Sequence, residues 1–301
     1  MAFRNHRFSR LELLVGREGL SRFRDKHVMV VGVGGVGSFA AEALARAAVG
    51  HITLVDHDEV CVTNVNRQIH AFTDTVGQKK VVLMAERMKR INPLLEVHAL
   101  AEHHHPDRGD YIFEEAERLA GRPVDAVLDC IDTLVPKADL LVRCVQRQLP
   151  VVSSMGSASK LDPSKIRVGD ISESKVDPFA KQVRLKLRDK GITKGVRVVY
   201  SLEKPVDPEQ AVPGSEWTCI CPNIQKEFGA CVHKRVMLGT ISYLPPMFGM
   251  WMVSELLNEW LKGIDFTKRE QTPYLPTFEE LKKAMSLGAP TPVAQLSQEQ
   301  V

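Results

Sequence analysis

Four glycines stand between a predicted strand and a predicted helix. Residues 31–37 read V-G-V-G-G-V-G, directly after an apolar run and directly before an Ala-rich segment. At such a turn, glycines let backbone N–H groups approach phosphate oxygens at the N-terminus of the helix. A tight turn with close helix packing accounts for Gly32, but not for Gly34, Gly35 and Gly37 together with an acid downstream. The spacing therefore predicts a nucleotide site.

The downstream acid is Asp56, at the end of a second short apolar run at residues 52–55. An acid at the tip of the second strand is placed to accept hydrogen bonds from the hydroxyls of a ribose. A dehydrogenase would use the same loop and the same acid. The glycines and Asp56 therefore predict a nucleotide without deciding between a nicotinamide dinucleotide and ATP.

The connection after the second predicted strand is crowded with charges and amides. Residues 56–70 read D-H-D-E-V-C-V-T-N-V-N-R-Q-I-H. Nicotinamide binding requires neither Asp58 nor Arg67, whereas attack on the α-phosphate of a triphosphate requires cations that stabilise the leaving pyrophosphate. Arg67 and Lys80 can supply them, and Asp132 can hold Mg²⁺ together with water and phosphate oxygens. Singly, Lys80 is typical of a solvated helix residue and Arg67 of an ion-pair partner. Together the charges favour adenylation.

The elements that position these residues alternate between strand and helix through the first half of the chain. After a lead-in helix at 8–23, the patterns predict strands at 27–33, 52–55, 124–128 and 151–153, and helices at 38–49, 78–91 and 136–148. Alternation of this kind implies a parallel sheet covered on both faces. The expected fold class is α/β, a Rossmann-like doubly wound, mostly parallel sheet with helices on both faces.

The regular alternation of predicted strands and helices ends in the second half of the chain. We expect strands at 166–171 and 196–201, a basic helix at 178–190, a long functional or mobile loop at about 203–233, and a helix at 246–262. This organisation predicts a lead-in helix at 1–25, an ATP-binding adenylating domain at 26–265 and a partly ordered tail at 266–301.

Composition excludes several classes of protein. The 301 residues are 44% hydrophobic and 26% charged, which argues against a disordered or fibrous chain, and the net charge of +3 leaves room only for a local basic patch. Six cysteines are sparse, so we expect reduced thiols and a cytoplasmic protein. The basic N-terminus has no apolar core behind it, so no secretory signal is expected.

The uncharged stretch 236–254 is interrupted by Pro245, Pro246 and Gly249, which favours a buried strand end and a buried helix over a membrane span.

Several motifs together resemble the ubiquitin-activating-type (ThiF/MoeB/HesA-like) adenylating enzymes. They are the glycine loop, D-x-D from Asp56, N-x-N-R-Q from Asn64, G-x-x-K ending at Lys80, and the D-x-x-D of Asp129 and Asp132. Within that group, four stretches are most similar to the tRNA threonylcarbamoyladenosine dehydratases. They are V-C-V-T-N-V-N-R-Q-I-H-A at 60–71, C-I-D-T-L-V-P-K at 130–137, D-I-S-E-S-K-V-D-P at 170–178 and V-V-Y-S-L-E-K-P at 198–205.

This resemblance, which covers about residues 7–260, implies an activity and its partners. Enzymes of that family use ATP and Mg²⁺ to adenylate the carboxylate of threonylcarbamoyladenosine on tRNA, next to the anticodon. The acyl adenylate is then attacked from within the same modification, which closes a ring with loss of water. The resemblance further implies a homodimer and leaves a sulfur-transfer protein open as another partner.

The resemblance also assigns roles to single residues. It gives the β- and γ-phosphates to Arg67 and Lys80, and Mg²⁺ to Asp132. Arg10, on the lead-in helix, matches loosely an arginine that reaches the partner's ATP site in trans. The full set expected to bind the nucleotide is Gly32, Gly34, Gly35, Gly37, Asp56, Asp58, Asn64, Arg67, Gln68 and Lys80.

The cysteines decide between related enzymes. Adenylating enzymes of sulfur-carrier proteins commonly carry two Cys-x-x-Cys pairs that bind zinc, and this chain has none. Cys219, Cys221, Cys231 and His233 have an unusual spacing for zinc ligands, so free thiols in a loop are expected and structural zinc is not. Cys231 is a candidate nucleophile that would trap the acyl adenylate as a thioester, although attack from within the modification needs no such group.

A substrate tRNA requires a basic surface. The segment at 178–190 offers Lys181, Arg184, Lys186, Arg188 and Lys190, a pattern that also fits a solvated helix face. The run His103-His104-His105 precedes a proline in a polar segment, and we interpret it as a surface turn rather than a metal site.

Two other functions stay open, namely adenylation of a carrier protein's C-terminus and a nicotinamide-dependent oxidoreduction.

Overall fold

One seven-stranded sheet forms the centre of the molecule. The structure, a computed structural model, describes residues 6–206 and 238–265. The strands are β1 His27–Val31, β2 His51–Val55, β3 Glu96–Leu100, β4 Ala126–Asp129, β5 Val151–Ser154, β6 Ile166–Asp170 and β7 Arg197–Ser201. They lie in the order β3-β2-β1-β4-β5-β7-β6, and only the β6–β7 pair is antiparallel. The expected mostly parallel sheet is confirmed.

Helices cover both faces of this sheet. They are α1 Ser9–Arg24, α2 Gly37–Arg46, α3 Lys80–Ile91, α4 Gly109–Ala120, α5 Leu134–Gln146, α6 Pro178–Arg188 and α7 Leu244–Leu261. Successive side chains of β1 point to opposite faces, so Val28 and Val30 join one core with α1, α2, α3 and α7. Met29 and Val31 join a second core with α4, α5 and α6. Because both faces are buried, the inner strands have continuous apolar sequences.

Two elements, β3 and α4, were not predicted from the sequence. β3 is an edge strand in which only Leu100 is buried, so it has no continuous apolar run. α4 begins at a glycine without a side-chain cap, and its buried face is limited to Gly109, Ile112, Phe113 and Ala116. The pattern of β3 is therefore weaker than that of an inner strand, whereas α4 has the buried positions of an ordinary amphipathic helix and ends at the left-handed Gly121.

The apolar stretch at 236–254 corresponds mainly to α7. Its residues Leu244, Phe248, Met252 and Leu256 are buried at helical spacing in the core that α7 shares with α2. The strand end expected before this helix is absent from residues 238–243. No helix in the described part of the chain is both long and apolar enough to cross a membrane.

The glycine turn brings the start of α2 against the end of β1. Gly32 has a φ of +89°, and a Cβ there would lie 2.8 Å from the carbonyl oxygen of Cys130. A Cβ at Gly37 would overlap the carbonyl oxygen of Gly32. Gly34 is different, because its nearest neighbour would be the Gln68 side chain at 3.8 Å. Packing thus requires glycine at 32 and 37 but leaves space at 34.

This contrast predicts two different outcomes for alanine. Gly37→Ala would force α2 away from β1 and should lower the free energy of unfolding by about 3 kcal/mol. Gly34→Ala, the matched control in the same loop, should leave it within about 0.5 kcal/mol of the original chain. Urea denaturation followed by circular dichroism measures both. Equal stability of the two variants would contradict the packing argument.

Candidate active site

The predicted site residues gather at one edge of the sheet. β1, β2 and β4 are parallel neighbours, so their carboxyl ends lie side by side. Two backbone hydrogen bonds continue this alignment past the strands, from Gly32 N to Val55 O and from Cys130 N to Val31 O, each 2.8 Å. The glycine loop therefore lies between the connection that follows β2 and the one that follows β4.

Asp56 joins the glycine loop to the connection after β2. Its Oδ2 accepts a hydrogen bond from Val33 N at 2.6 Å, and its Oδ1 accepts one from Asp58 N at 2.8 Å. Each carboxylate oxygen keeps further acceptor capacity, because it has two lone pairs. The half-buried carboxylate can hold the loop and still accept hydrogen bonds from ribose hydroxyls.

Lys80 is the first residue of α3 and is almost completely buried. Its Nζ donates to Asp58 Oδ2 at 2.7 Å. Burial alone lowers the pKa of Lys80, but the carboxylates of Asp56 and Asp58, with a smaller contribution from Asp132, outweigh it and raise the pKa above its ordinary value. The ammonium group is therefore charged at neutral pH, at the edge of the sheet where the glycine loop lies.

Arg67 lies over the glycine loop. Its Cγ is 3.3 Å from the position that a Cβ would take on Gly35. The guanidinium Nη1 donates to Thr63 O at 2.7 Å and to Asn66 Oδ1 at 3.0 Å, which fixes the side chain from its own connection. Burial lowers the pKa of Arg67, and the Asp132 carboxylate opposes that shift. The group stays a cation, since an arginine in a protein does not deprotonate.

The two acids of the D-x-x-D motif have different environments. Asp129 is fully buried, and its Oδ2 accepts from Lys137 Nζ and from Ser153 Oγ, both at 2.6 Å. Asp132 is exposed, and its charge acts on Arg67 and Lys80. Asp129 therefore stabilises the end of β4 through its buried hydrogen bonds, while Asp132 is close enough to Arg67 and Lys80 for its charge to act on them.

A second group of oxygen and nitrogen ligands lies after β2. One ligand atom each of Asp56, His57 and Asp58 falls within 4.8 Å of the others. Asp58 is already bound to Lys80, so a metal ion there would compete with that ion pair. Asp132, chosen from the sequence for Mg²⁺, is outside this group.

Two amides of the N-x-N-R-Q motif are buried for different reasons. Asn64 Oδ1 accepts from Cys61 N at 3.0 Å and so closes the short helical turn Val62–Asn64. Gln68 lies beside the glycine loop, with its Nε2 3.8 Å from the position of a Cβ on Gly34, and its Oε1 has no hydrogen-bond partner among the described residues. Asn64 shapes the connection, whereas Gln68 retains a buried acceptor beside Gly34.

Some predicted site residues lie elsewhere. Arg10 is exposed on α1, and the basic set lies on α6, where Arg184 Nη1 donates to the carbonyl and hydroxyl of Ser174. Cys231 is outside the described residues, as are Cys219, Cys221, His233 and most of the expected long loop. The described cysteine nearest the glycine loop, Cys130, is partly buried, and burial strongly raises the pKa of its thiol.

No pattern in the sequence indicated that the segment at 238–245 contributes to the site. Pro245, in the first turn of α7, lies 3.1 Å from the position of a Cβ on Gly35, opposite Arg67. Thr240 O accepts a hydrogen bond from Asn66 Nδ2 at 2.8 Å. Gly35 and Pro245 are 210 positions apart and Asn66 and Thr240 are 174 positions apart, so no local pattern could have predicted either contact.

Comparison with known proteins agrees with this geometry. The tRNA threonylcarbamoyladenosine dehydratase of Bacillus subtilis (strain 168) is 43% identical over 267 residues, which are 87% of this chain and 98% of that protein. The dehydratase of Escherichia coli (strain K12) is 41% identical over 210 residues, 67% of this chain and 76% of that protein.

A solved structure is also similar. The crystal structure of the E. coli dehydratase TcdA in complex with ATP has a TM-score of 0.69 at 35% identity, and the match covers 85% of this chain and 93% of that chain. The model of the ThiF family matches residues 8–292. The fold, the site motifs and this match over nearly the whole chain agree, and the chain belongs to the ThiF family.

Proposed function

We propose that this chain catalyses the ATP-dependent cyclisation, by dehydration, of N6-threonylcarbamoyladenosine next to the anticodon of tRNA. One observation carries the proposal. Two cations, Arg67 and Lys80, and the carboxylates of Asp56 and Asp132 converge on a glycine loop, in a chain that spans 98% of a dehydratase to which it is 43% identical. The site supports the adenylation step, and the relatives support the choice of carboxylate.

The first step joins the substrate carboxylate to AMP. A carboxylate oxygen attacks the α-phosphorus of ATP, and the bond from that phosphorus to the pyrophosphate oxygen breaks. Backbone N–H groups of the glycine loop hold the phosphates, and Asp56 accepts hydrogen bonds from the ribose. Negative charge grows on the leaving pyrophosphate, where Arg67 and Lys80 stabilise it.

The second step closes the ring. A nucleophile within the same modification attacks the activated acyl carbon, the bond to the AMP oxygen breaks, and AMP leaves. The oxygen that departs with AMP, the proton of the nucleophile and the proton of the carboxylic acid group together account for the lost water. ATP is converted to AMP and pyrophosphate, so no external oxidant or reductant is needed.

In the part of the chain that the structure describes, the Asp132 carboxylate is suited to bind Mg²⁺. Asp132 supplies an exposed carboxylate close to Arg67 and Lys80, and Mg²⁺ prefers one or two carboxylates together with water and phosphate oxygens. When bound, the ion neutralises part of the triphosphate charge. The charge of Asp132 acts on both cations, and its carboxylate would also be a ligand of the metal.

The proposal predicts a mass change in the modified nucleoside. Full-length protein, ATP, Mg²⁺ and tRNA carrying threonylcarbamoyladenosine are incubated, and the digested nucleosides are analysed by mass spectrometry. Loss of one water from that nucleoside, in reactions with ATP and not in those without it, is the expected result. An unchanged nucleoside from protein that binds ATP would contradict the proposal. ATP–pyrophosphate exchange dependent on a carrier protein would then favour the carrier-protein adenylase.

The role of Arg67 gives a second prediction. Arg67→Ala should remove about 2–4 kcal/mol of transition-state stabilisation, which is a loss of about 30- to 1,000-fold in the single-turnover rate. Arg197→Ala is a matched control, since Arg197 lies on β7 and pairs with Glu255 on α7. A rate for Arg67→Ala close to that of Arg197→Ala would contradict the mechanism and would leave nicotinamide chemistry as the better account of the loop.

The outer face of α6, together with Lys190 just beyond its end, is the proposed tRNA-binding surface. Lys181, Lys186, Arg188 and Lys190 are exposed, and none of them forms an ion pair with another residue in the described ranges. Arg184 donates hydrogen bonds to Ser174, and it therefore helps to hold the helix against the preceding segment instead. The N-terminus of α6 is tied to the active-site edge, because its capping residue Asp177 lies 3.3 Å from Lys160 Nζ, which donates to Gly156 O after β5.

Removing cations from this face should change the salt dependence of tRNA binding. The double variant Lys181→Ala/Lys186→Ala should raise KM for tRNA and reduce the slope of log affinity against log salt by about one unit per lost phosphate contact. ATP binding should stay as in the original chain. Lys262→Ala, whose partner is Glu259 at the end of α7, is the control. An unchanged slope in the double variant would contradict the assignment.

We also propose a homodimer. α7 exposes Met250 and Trp251, large apolar side chains at 46% and 44% exposure that a second copy would cover. Arg10 is exposed on α1 and available for a role in trans. The cytoplasmic location, the sulfur-transfer partner and the nucleophilic role of Cys231 stay predictions.

A further inference from the structure

A lysine and an aspartate form a fully buried ion pair at the end of β4. Asp129 is the last residue of β4, Lys137 is the fourth residue of α5, and both side chains are 0% exposed. Lys137 Nζ donates to Asp129 Oδ2 at 2.6 Å and to Ser153 Oγ on β5 at 3.0 Å. The Ser153 hydroxyl donates to the same Asp129 oxygen at 2.6 Å. Three side chains therefore form a closed polar cluster without access to solvent.

The stability of the fold does not by itself explain this cluster. Removing two charges from water costs free energy that their attraction only partly returns, and apolar side chains of similar volume often serve as well at such a place. The surroundings are apolar and aromatic, since Lys137 Nζ lies 5.9 Å from the ring centroid of Phe179, and Leu140 and Leu141 are buried in the core on this face. The directions of its hydrogen bonds, rather than its contribution to stability, distinguish the ion pair from a packed apolar contact.

The second oxygen of Asp129 fixes the backbone that follows β4. Asp129 Oδ1 accepts a hydrogen bond from Ile131 N at 3.1 Å. The glycine loop lies on the other side of this backbone, because Ile131 N is 3.2 Å from the position of a Cβ on Gly32. Cys130 N also donates to Val31 O at 2.8 Å. The start of the connection is therefore held between the glycine loop and the buried ion pair.

The far end of the same connection is closed by Lys137. Its backbone N donates to Thr133 O at 3.2 Å, and its side chain reaches back to Asp129. The ion pair thus joins the first turn of α5 to the end of β4 across the residues between them. Asp132, directly after Ile131, is exposed on this short bridged connection. A carboxylate held in this way has little freedom to move.

We propose that Lys137 is a positioning residue, whose buried ion pair with Asp129 sets the place of Asp132. From that place the charge of Asp132 acts on Arg67 and Lys80. This inference rests on the proposed function, in which the same carboxylate binds Mg²⁺. Groups behind a metal ligand hold it in the orientation that the ion requires, so removing one of them weakens metal binding although every ligand is still present.

The test measures ATP binding to the full-length chain by titration calorimetry, once with Mg²⁺ and once with a chelator. The ratio of the two dissociation constants, the Mg²⁺ gain, reports what the protein adds to metal binding, because free ATP also binds the ion. Asp132→Ala should lower this gain by about tenfold or more, and Lys137→Met should lower it by about tenfold. The combined variant should have the gain of Asp132→Ala alone, since both substitutions act through one carboxylate.

Another buried ion pair supplies the matched control. Lys160 is 3% exposed and pairs with the buried Asp177. Lys160→Met should keep the Mg²⁺ gain of the original chain, and urea denaturation checks that both methionine variants fold. If Lys137→Met does not fold, Ser153→Ala takes its place, because it removes one hydrogen bond from Asp129 Oδ2 and leaves the ion pair. A gain about threefold below that of the original chain is then expected.

Each other outcome overturns the inference. An unchanged gain in Lys137→Met, or in Ser153→Ala where that variant replaces it, would show that the cluster does not position the ligand. A further loss when Lys137→Met is added to Asp132→Ala would show that the effect does not pass through that carboxylate, and an equal loss in Lys160→Met would show that it is general. An original chain that binds no ATP, or an unchanged gain in Asp132→Ala, would contradict the proposed function as well. A lowered gain in Asp132→Ala beside an unchanged one in Lys137→Met overturns the positioning role alone.

Discussion

The Asp56 carboxylate holds two connections of the chain at once. One oxygen accepts from the backbone of Val33 in the glycine loop, and the other accepts from the backbone of Asp58. A charge that accepts backbone N–H groups is a strong and directional anchor. Because Asp58 in turn pairs with Lys80, the position of the buried ammonium follows from the same carboxylate. The glycine loop, the acid for the ribose and one cation for the phosphates therefore share a single support.

Some residues of the site motifs stabilise the structure of the site, whereas others remain accessible to a ligand. Gly37 permits the approach of α2 to β1, Asn64 closes a turn, and Asp129 is buried with Lys137 and Ser153. Gly34, in contrast, has space around it, and Asp132 is exposed. A motif identifies a place in the fold, but burial and hydrogen bonding decide which of its members can meet a ligand.

α7 shows how the second half of the chain completes a site built by the first. Pro245 packs at Gly35, and a Cβ on Gly249 would lie 2.6 Å from Val36 O, so the helix lies directly against the start of α2. Such close contact restricts any movement of the loop that would hold phosphate. It also explains why an uncharged, apolar stretch is needed in this position, since it is packed between α1 and α2 in the core.

Local patterns in the sequence determined the inner strands β1, β2, β4 and β5, the helices that follow the glycine loop, and the acids and cations of the site. They did so because a strand buried on both faces is continuously apolar. In addition, glycines, acids and lysines that directly follow such strands are the residue types that bind the phosphates and ribose of a nucleotide. β3, in which only Leu100 is buried, was missed, and so was α4, although its buried positions have helical spacing. The contact of Pro245 with Gly35 and the hydrogen bond of Asn66 to Thr240 were decided only by the tertiary structure. Both join segments far apart in sequence, and their proximity depends on the strand order of the sheet and the packing of α7, which no short stretch of residues encodes.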